Sequence, residues 1–227
     1  MKIKHATICK SGNRSNNEDA YQVVSKPEQD QWLGIVCDGM GGHAMGELAS
    51  ETVVHAIADF WSIHHKGIDS EEKVREAFAL ASQQLDARAS SMHLKEMGTT
   101  LVMASIQKDT MTIVHTGDSR CYVIRPKDEL LYQTKDHTTL NFGWEIVSKC
   151  FFSFKPEAAV PEIKQIKLRP GDRILLCSDG IYKSMPPEIL KARMMDNKSP
   201  EQILDVFDFL CEKNGDDNYT AILAIVE

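Results

Sequence analysis

The chain has 227 residues, of which 42% are hydrophobic and 26% charged, and these values exclude collagen-like, low-complexity and wholly disordered proteins. Its 26 basic and 33 acidic residues give a net charge of −7 without a cluster of Lys or Arg, which argues against a nucleic-acid partner. No apolar run is long enough to span a bilayer, and the N-terminus lacks the apolar region of a signal peptide. We therefore expect a cytoplasmic, monomeric protein of one domain, without a membrane partner.

The first half of the chain predicts strands, then two helices, then strands. Three β-rich runs open it: Ile3–Cys9, Ala20–Val24 and Trp32–Cys37. Apolar residues then recur at helical spacing over about 44–61 and 72–89, which predicts two amphipathic helices. Four runs with period two predict an antiparallel meander: Thr100–Ile106, Met111–His115, Cys121–Ile124 and Leu130–Tyr132.

The second half predicts a long connection, two strands, a helix and a strand. Residues 136–161 show weak periodicity and are interpreted as an irregular flap. Strand character returns over 163–168 and 173–177. Ser199, Pro200 and Gln202 form a capping box that opens a helix, and Tyr219–Val226 is the last strand. This order predicts an α+β layered domain over residues 1–227.

Six cysteines are dispersed along the chain without a C-x-x-C pair: Cys9, Cys37, Cys121, Cys150, Cys177 and Cys211. Most of them stand beside apolar residues, as buried reduced thiols do. They predict structural thiols in a reducing compartment, in keeping with a cytoplasmic location.

Acidic residues occur repeatedly at the ends of predicted strands: Glu18, Asp19, Asp38, Asp118, Asp179 and Asp217. Each of them alone is typical of an ordinary turn. Carboxylates gathered at one end of a sheet repel one another unless cations neutralise them, and such hard oxygen ligands suit Mg²⁺ or Mn²⁺. The pattern predicts a two-cation site, which is a usual arrangement for phosphoester hydrolysis.

A family resemblance rests on seven motifs: Arg14-Ser-Asn-Asn-Glu18-Asp19, Asp38-Gly-Met-Gly-Gly42 with Gly46 and Ala49-Ser50, Gly98-Thr-Thr100, Gly117-Asp-Ser-Arg120, Asp136-His137, Ser178-Asp-Gly180 and Asp217-Asn218. Their order and spacing resemble those of metal-dependent PP2C-type (PPM) serine/threonine protein phosphatases. The likeness runs from about residue 2 to 226 and is greatest to the compact bacterial branch. It implies an αββα sandwich, in which two central antiparallel sheets are flanked by pairs of helices.

The resemblance also implies a set of metal ligands. Asp38 would bridge two Mn²⁺ or Mg²⁺ ions. The Gly39 carbonyl would ligate one of them, and Glu18 would hold water on the same ion. Asp179 and Asp217 would bind the other ion.

Two further roles follow from the resemblance. Arg14 would hold the substrate phosphate, because a guanidinium can donate two parallel hydrogen bonds to phosphate oxygens. Asp118 would help to hold a third, weaker ion, although a β-turn role for Asp118 stays open.

The implied reaction removes phosphate from phosphoserine or phosphothreonine in a protein. A metal-activated hydroxide would attack the phosphorus in line, without a phosphoenzyme. The partners would be a phosphorylated protein and a Ser/Thr kinase that opposes the phosphatase.

Two features depart from the family pattern. Met40 stands where animal relatives have His, so the proton donor to the leaving oxygen is unassigned, and we expect it to be a metal-bound water. The flap is short and carries the stretch Asn141–Phe154 in place of the usual helical insert. Substrate specificity and an acid that would complete the third ion site therefore do not carry over.

Three alternative functions have some support in the sequence. Residues 39–44 fit G-x-G-x-x-A with Asp59 further on, as in NAD-binding proteins, but Asp59 falls inside a predicted helix. A nucleophilic-serine hydrolase is disfavoured because Ala44 stands where G-x-S-x-G needs Ser. A catalytically silent module of the same fold, which binds metal and docks a partner, stays open.

Overall fold

The computed structural model describes residues 1–40, 44–64, 69–126 and 130–227. Within these ranges the chain forms fourteen strands and five α-helices. The strands are β1 (Ile3–Lys10), β2 (Asp19–Lys26), β3 (Gln31–Met40), β4 (Gly98–Thr99), β5 (Leu101–Gln107), β6 (Thr110–Thr116), β7 (Arg120–Ile124), β8 (Leu130–Gln133), β9 (Thr138–Asn141), β10 (Trp144–Val147), β11 (Phe151–Phe152), β12 (Glu162–Lys167), β13 (Arg173–Cys177) and β14 (Tyr219–Val226). The helices are α1 (Ala44–Ile63), α2 (Glu71–Ser91), α3 (Asp179–Lys183), α4 (Pro187–Met194) and α5 (Pro200–Asn214). Gly41 and Gly42 of the Asp38–Gly42 motif lie outside the described residues.

The strands form two large antiparallel sheets and one separate hairpin. The first sheet has the order β11-β4-β3-β5-β6-β12, and β2 pairs with β3 beside this path. The second sheet has the order β1-β14-β13-β7-β8. Strands β9 and β10 pair only with each other within the described residues.

Three apolar layers hold four layers of secondary structure together. Phe78 and Leu85 of α2 belong to the cluster that packs α1 and α2 on the first sheet. Val36 and Ile222 belong to the cluster between the two sheets. Phe207 of α5 belongs to the cluster between the second sheet and helices α3 to α5. This arrangement confirms the expected αββα sandwich.

The predicted four-stranded meander is wrong in its pairing. Strands β5 and β6 form a hairpin, with Leu101 opposite Thr116. The chain then crosses to the second sheet at Gly117, whose φ of +107° favours glycine, and β7 pairs with β13. Period two identifies a strand but not its partner, and for this reason the crossing was not predicted.

The flap and the segment after Asp179 contain more regular structure than predicted. Residues 136–161 include the β9–β10 hairpin, β11 and a short 3₁₀ helix over Pro156–Ala158. Trp144, Glu145 and Ile146 of β10 are all exposed, so the strand shows no buried alternation that would identify it. Helices α3 and α4 were not predicted, because they have only five and eight residues.

None of the helices in the described part of the chain is both long and apolar enough to cross a membrane. The longest are α1 with 20 residues and α2 with 21. Each of them has an apolar face that packs on the first sheet.

Arg125, directly after β7, makes an ion pair with the buried Asp172, which lies in the turn between β12 and β13. The Asp172 side chain is 0% exposed, and it accepts two hydrogen bonds from the Arg125 guanidinium, each of 2.8 Å. The Arg169 N–H donates a third, also of 2.8 Å. A carboxylate buried in this way depends on its partner, since the pair compensates for the loss of water.

Arg125→Met should therefore lower the free energy of unfolding by roughly 3–5 kcal/mol, because it leaves the Asp172 charge buried and unpaired. Urea denaturation of the two proteins measures the difference. The matched control is Arg193→Met, which breaks a more exposed pair with Asp196 and should cost at most about 1 kcal/mol. Equal losses in the two variants would contradict the account.

Candidate metal centre and phosphate pocket

A cavity of about 780 Å³ opens at one end of the sandwich. Its walls are formed by strand ends and turns of both sheets and by the first turns of α1 and α3. Every site residue predicted from the sequence lines it: Arg14, Glu18, Asp38, Gly39, Asp118, Asp179 and Asp217. Met40, Glu47, Thr100, Val147 and Asn218 are among the other lining residues. The fold thus brings together acids that stand up to 199 positions apart in the sequence, from Glu18 to Asp217.

Asp38 is held rigidly through its backbone. Its N–H donates to Thr100 Oγ1 at 3.0 Å. Its carbonyl accepts hydrogen bonds from the Thr100 N–H and from Thr99 Oγ1, both of 2.9 Å. These contacts fix the end of β3, so the carboxylate enters the cavity from a rigid strand.

Asp19 faces Asp38 across the β2–β3 pair. Directly opposite residues of an antiparallel pair project to the same face, with their Cβ atoms about 4.5–5.5 Å apart. Asp19 is 7% exposed, and its Oδ2 accepts a hydrogen bond of 2.6 Å from Ser178 Oγ. Its Oδ1 is buried without a hydrogen bond of normal geometry among the described residues. An incompletely satisfied buried carboxylate next to Asp38 fits the neighbourhood of a cation.

Two acids at this site have no role assigned from the sequence. Asp19 is among the acids at the strand ends, but only its neighbour Glu18 has an expected role, because the position of Asp19 opposite Asp38 depends on a strand register that the sequence does not reveal. The other is Glu47, which lines the cavity from the first turn of α1. The signal for Glu47 was its place directly after Gly46 of the quoted motif, at a helix start that favours acids.

Two glycines let Glu18 and Gly39 approach the start of α1. The Gly39 N–H donates to the Glu18 carbonyl at 3.0 Å. A Cβ on Gly46 would lie 2.4 Å from Glu18 Oε2, and a Cβ on Gly39 would lie 2.1 Å from the Gly46 carbonyl oxygen. Any larger side chain at either position would push Glu18 or the end of β3 away from the cavity.

Asn218 joins the N-terminal loop to the start of β14. Its Oδ1 accepts from the Glu18 N–H at 2.8 Å, and its Nδ2 donates to the carbonyls of Ser11 and Asn16 at 2.9 and 2.7 Å. Asn218 thereby positions Glu18 beside Asp217. The sequence motif included Asn218 without a role, because these partners stand about 200 positions away.

Arg14 lies at the rim of the cavity and contacts the same turn. Its Nε donates to the Asp216 carbonyl at 2.9 Å, and its Nη2 donates to Asp217 Oδ2 at 3.1 Å. The side chain is 57% exposed, and a guanidinium has further N–H donors. Arg14 can therefore face an anion that enters the cavity.

The clustered acids oppose one another's ionisation. Burial and the charges of Asp19, Asp179, Asp118 and Asp217 raise the pKa of Asp38 well above its usual range. Burial and Asp179 raise the pKa of Asp118 to about 6. Burial raises the pKa of Asp19 to about 7, although the hydroxyls of Ser178 and Thr220 partly oppose the shift. Repulsion of this kind is relieved by bound cations, and an all-oxygen set of this size fits Mg²⁺ or Mn²⁺.

The flap adds no acid to the cavity. All of residues 136–161 are described, and among them only Val147 lines it. Asp136 instead accepts two hydrogen bonds from the Arg120 guanidinium, of 2.8 and 2.7 Å. The third-ion site expected at Asp118 therefore gains no carboxylate from the flap.

Three other ligand-type side chains lie together outside the cavity, namely His115, His137 and Glu162. The two imidazoles stack with their centroids 4.6 Å apart. The Gly117 N–H donates to His137 Nδ1 at 3.3 Å, which leaves the proton on Nε2, 3.4 Å from Glu162 Oε2. His137 thus links the flap to the turn that carries Asp118.

Comparison with known proteins gives the same assignment as this geometry. The sequence profile of protein phosphatase 2C matches residues 10–224. The chain belongs to the protein phosphatase 2C family. It is 31% identical to the serine/threonine phosphatase stp of Listeria welshimeri, over 92% of this chain and 90% of that protein. It is 30% identical to the serine/threonine protein phosphatase PstP of Mycobacterium tuberculosis, over 94% of this chain and 43% of that protein.

Solved structures of serine/threonine phosphatases have the same fold as this chain. The crystal structure of the Mycobacterium tuberculosis phosphatase PstP/Ppp superposes with a TM-score of 0.84 at 26% identity and covers 99% of both chains. The catalytic domain of PstP in complex with two manganese ions superposes with a TM-score of 0.82 at 27% identity, again over 99% of both chains. The chain is a protein-serine/threonine phosphatase of the bacterial PP2C type.

The metal-free protein should lose stability as the pH rises. The folded pKa of Asp19, about 7, lies above the unfolded value of about 3.9. The folded state therefore binds more protons between about pH 4 and pH 7, and its stability falls through that window. Thermal unfolding of metal-stripped protein should show a lower midpoint at pH 8 than at pH 5, and a smaller difference in Asp19→Asn. A midpoint that rises toward pH 8 would be inconsistent with the electrostatics described.

Gly46→Ala should weaken metal binding at least ~10-fold, since the new methyl group must displace the Glu18 carboxylate. Inside a helix Ala is favoured over Gly by about 1 kcal/mol, which offsets part of the stability lost to the contact with Glu18. Calorimetric titration with Mn²⁺ measures the affinity, and urea denaturation in chelator checks the fold. Unchanged Mn²⁺ affinity would show that Glu18 has no part in the site.

Proposed function

We propose that the acidic cavity hydrolyses phosphoserine and phosphothreonine in proteins, with residues 1–227 acting as one phosphatase domain. Asp38, Asp179, Asp217, Glu18 and the Gly39 carbonyl would hold two Mn²⁺ or Mg²⁺ ions. When bound, these ions would neutralise the phosphate oxygens and lower the pKa of water. The observation that carries this proposal is the convergence of these acids with Arg14 on one cavity, in a chain whose relatives are serine/threonine phosphatases.

The chain's own residues would orient the substrate. Arg14 is already hydrogen-bonded to Asp217, so a phosphate that it binds would be held against the acidic cluster. Thr100 and the β2–β3 register keep Asp38 in place during the reaction, and fixed positions of this kind reduce the entropy cost of reaching the transition state. Met40 lines the cavity but has no transferable proton. We assign the proton for the leaving oxygen to water in the cavity.

The setting proposed for this reaction is the cytoplasm. All six cysteines lie in the described residues, all have free thiols, and five of them are buried. Burial raises the pKa of Cys121 above its usual range and that of Cys150 to about 11, so both thiols would be unreactive. Reduced structural thiols are typical of the cytosol. A phosphoprotein is the proposed substrate there, with a Ser/Thr kinase as the opposing enzyme and the chain acting as a monomer.

The decisive assay is phosphate release from phosphoserine and phosphothreonine peptides with Mn²⁺, with Mg²⁺ and with chelator. We expect turnover with the metals and none with chelator. Asp38→Asn should abolish turnover, because it removes a negative charge that would hold both ions. Metal binding without any phosphate release by the unmodified chain would instead identify a silent docking module.

Arg14→Ala should raise KM for a phosphopeptide at least ~10-fold and change kcat less, because phosphate binding would suffer more than water activation. Steady-state kinetics at saturating Mn²⁺ separates the two constants. Arg75→Ala is the matched control, since Arg75 is an exposed arginine that pairs with Glu71 on α2. A fall confined to kcat would remove Arg14 from phosphate binding.

A further inference from the structure

Lys183 places an ammonium beside the acidic cluster. Asp179 is the first residue of α3 and Lys183 follows four positions later, so both project from the same face of the helix. Lys183 Nζ donates to Asp179 Oδ2 at 2.5 Å. The Asp179 side chain is 13% exposed and that of Lys183 is 59% exposed. The ammonium therefore reaches from the surface to a carboxylate that lines the cavity.

The charges around Lys183 are those of the cavity. Its positive charge interacts with the carboxylates of Asp179, Asp118 and Asp38, all three of which line the cavity. Asp118 in turn interacts most strongly with the charges of Asp179 and Lys183. Tyr182, next to Lys183, donates from its hydroxyl to the Asp118 carbonyl at 3.2 Å. This bond holds α3 against the turn that carries Asp118.

Mg²⁺ is usually held by one or two carboxylates, with water in its other positions, so a second carboxylate beside Asp118 would strengthen a third-ion site there. Asp179 lines the same cavity as Asp118 and could supply it, but its Oδ2 accepts a hydrogen bond from Lys183. The proposed two-ion centre needs an oxygen of the same carboxylate. Asp136 of the flap cannot substitute, because Arg120 binds both of its oxygens.

We propose that the Lys183 ammonium takes the place of a third divalent ion between Asp118 and Asp179. The phosphatase then binds two ions, and a tethered cation supplies the positive charge at the third position. This inference rests on the proposed metal centre at Asp38, Asp179 and Asp217. It also gives Lys183 a second effect, since the ammonium partly neutralises the cluster when no metal is bound.

Counting the bound ions tests this proposal. Metal-stripped protein is titrated with Mn²⁺ by calorimetry, and free Mn²⁺ is followed by electron paramagnetic resonance. We expect two ions in the unmodified chain, three in Lys183→Met, and two again when Asp118→Asn is added to Lys183→Met. Lys183→Arg keeps the positive charge and should bind two.

The matched control is Lys167→Met. Lys167 is an exposed lysine that pairs with Asp109 at 2.8 Å, outside the cavity, and its variant should bind two ions. Three ions in the unmodified chain, or two in Lys183→Met, would overturn the proposal. An unmodified chain that binds no Mn²⁺ would instead refute the metal centre itself, and with it any role of Lys183 toward metal.

Stability without metal gives a second readout. Lys183→Met should unfold at a lower temperature than the unmodified chain in chelator, and Lys167→Met should not. Lys183→Gln serves if the Met variant does not fold, because Gln keeps a polar side chain without the charge. A Gln variant that binds only two ions would also overturn the proposal.

Discussion

Repulsion among carboxylates is the constraint on which this structure depends. Asp19 and Asp38 lie opposite each other on paired strands, and Asp118, Asp179 and Asp217 surround them from other elements. Carboxylates that lie close together repel one another, and this repulsion destabilises the folded state unless other interactions offset it. The αββα core, with three apolar layers, supplies the stability that allows such a cluster to persist. The proposed function follows from the same arrangement, because bound divalent cations would offset the repulsion within the cluster.

The protein positions the cluster through its backbone. Gly39, Gly46 and Gly180 have no Cβ, and a Cβ at any of them would clash with a neighbouring segment. The glycines therefore allow β3 to approach α1 closely, and α3 to approach the start of β14. Asn218 adds three hydrogen bonds that join the first loop to the last strand. Sites built in this way are rigid before the ligand arrives, which favours catalysis by reducing reorganisation.

The sequence indicated which acids meet at one cavity more readily than it indicated how the strands pair. Strand ends rich in Asp and Gly predicted a cluster of acids, and the family resemblance gave expected roles to Asp38, Asp118, Asp179 and Asp217, all of which line one cavity. The capping box at Ser199 was also readable, because it is local; both of its hydrogen bonds are present. The crossing at Gly117 and the position of Asp19 opposite Asp38 depend on partners far along the chain, and no local pattern encodes them. The Lys183–Asp179 pair has the spacing of an ordinary surface ion pair, and only the cavity around Asp179 gives it significance.

The most direct test of the central account is a crystal of this chain soaked in manganese, with anomalous diffraction recorded at the manganese edge. The account predicts two strong peaks a few ångströms apart, with Asp38 between them and Asp179 and Asp217 on one of them. A cavity without peaks, or ions bound only at other residues, would contradict it.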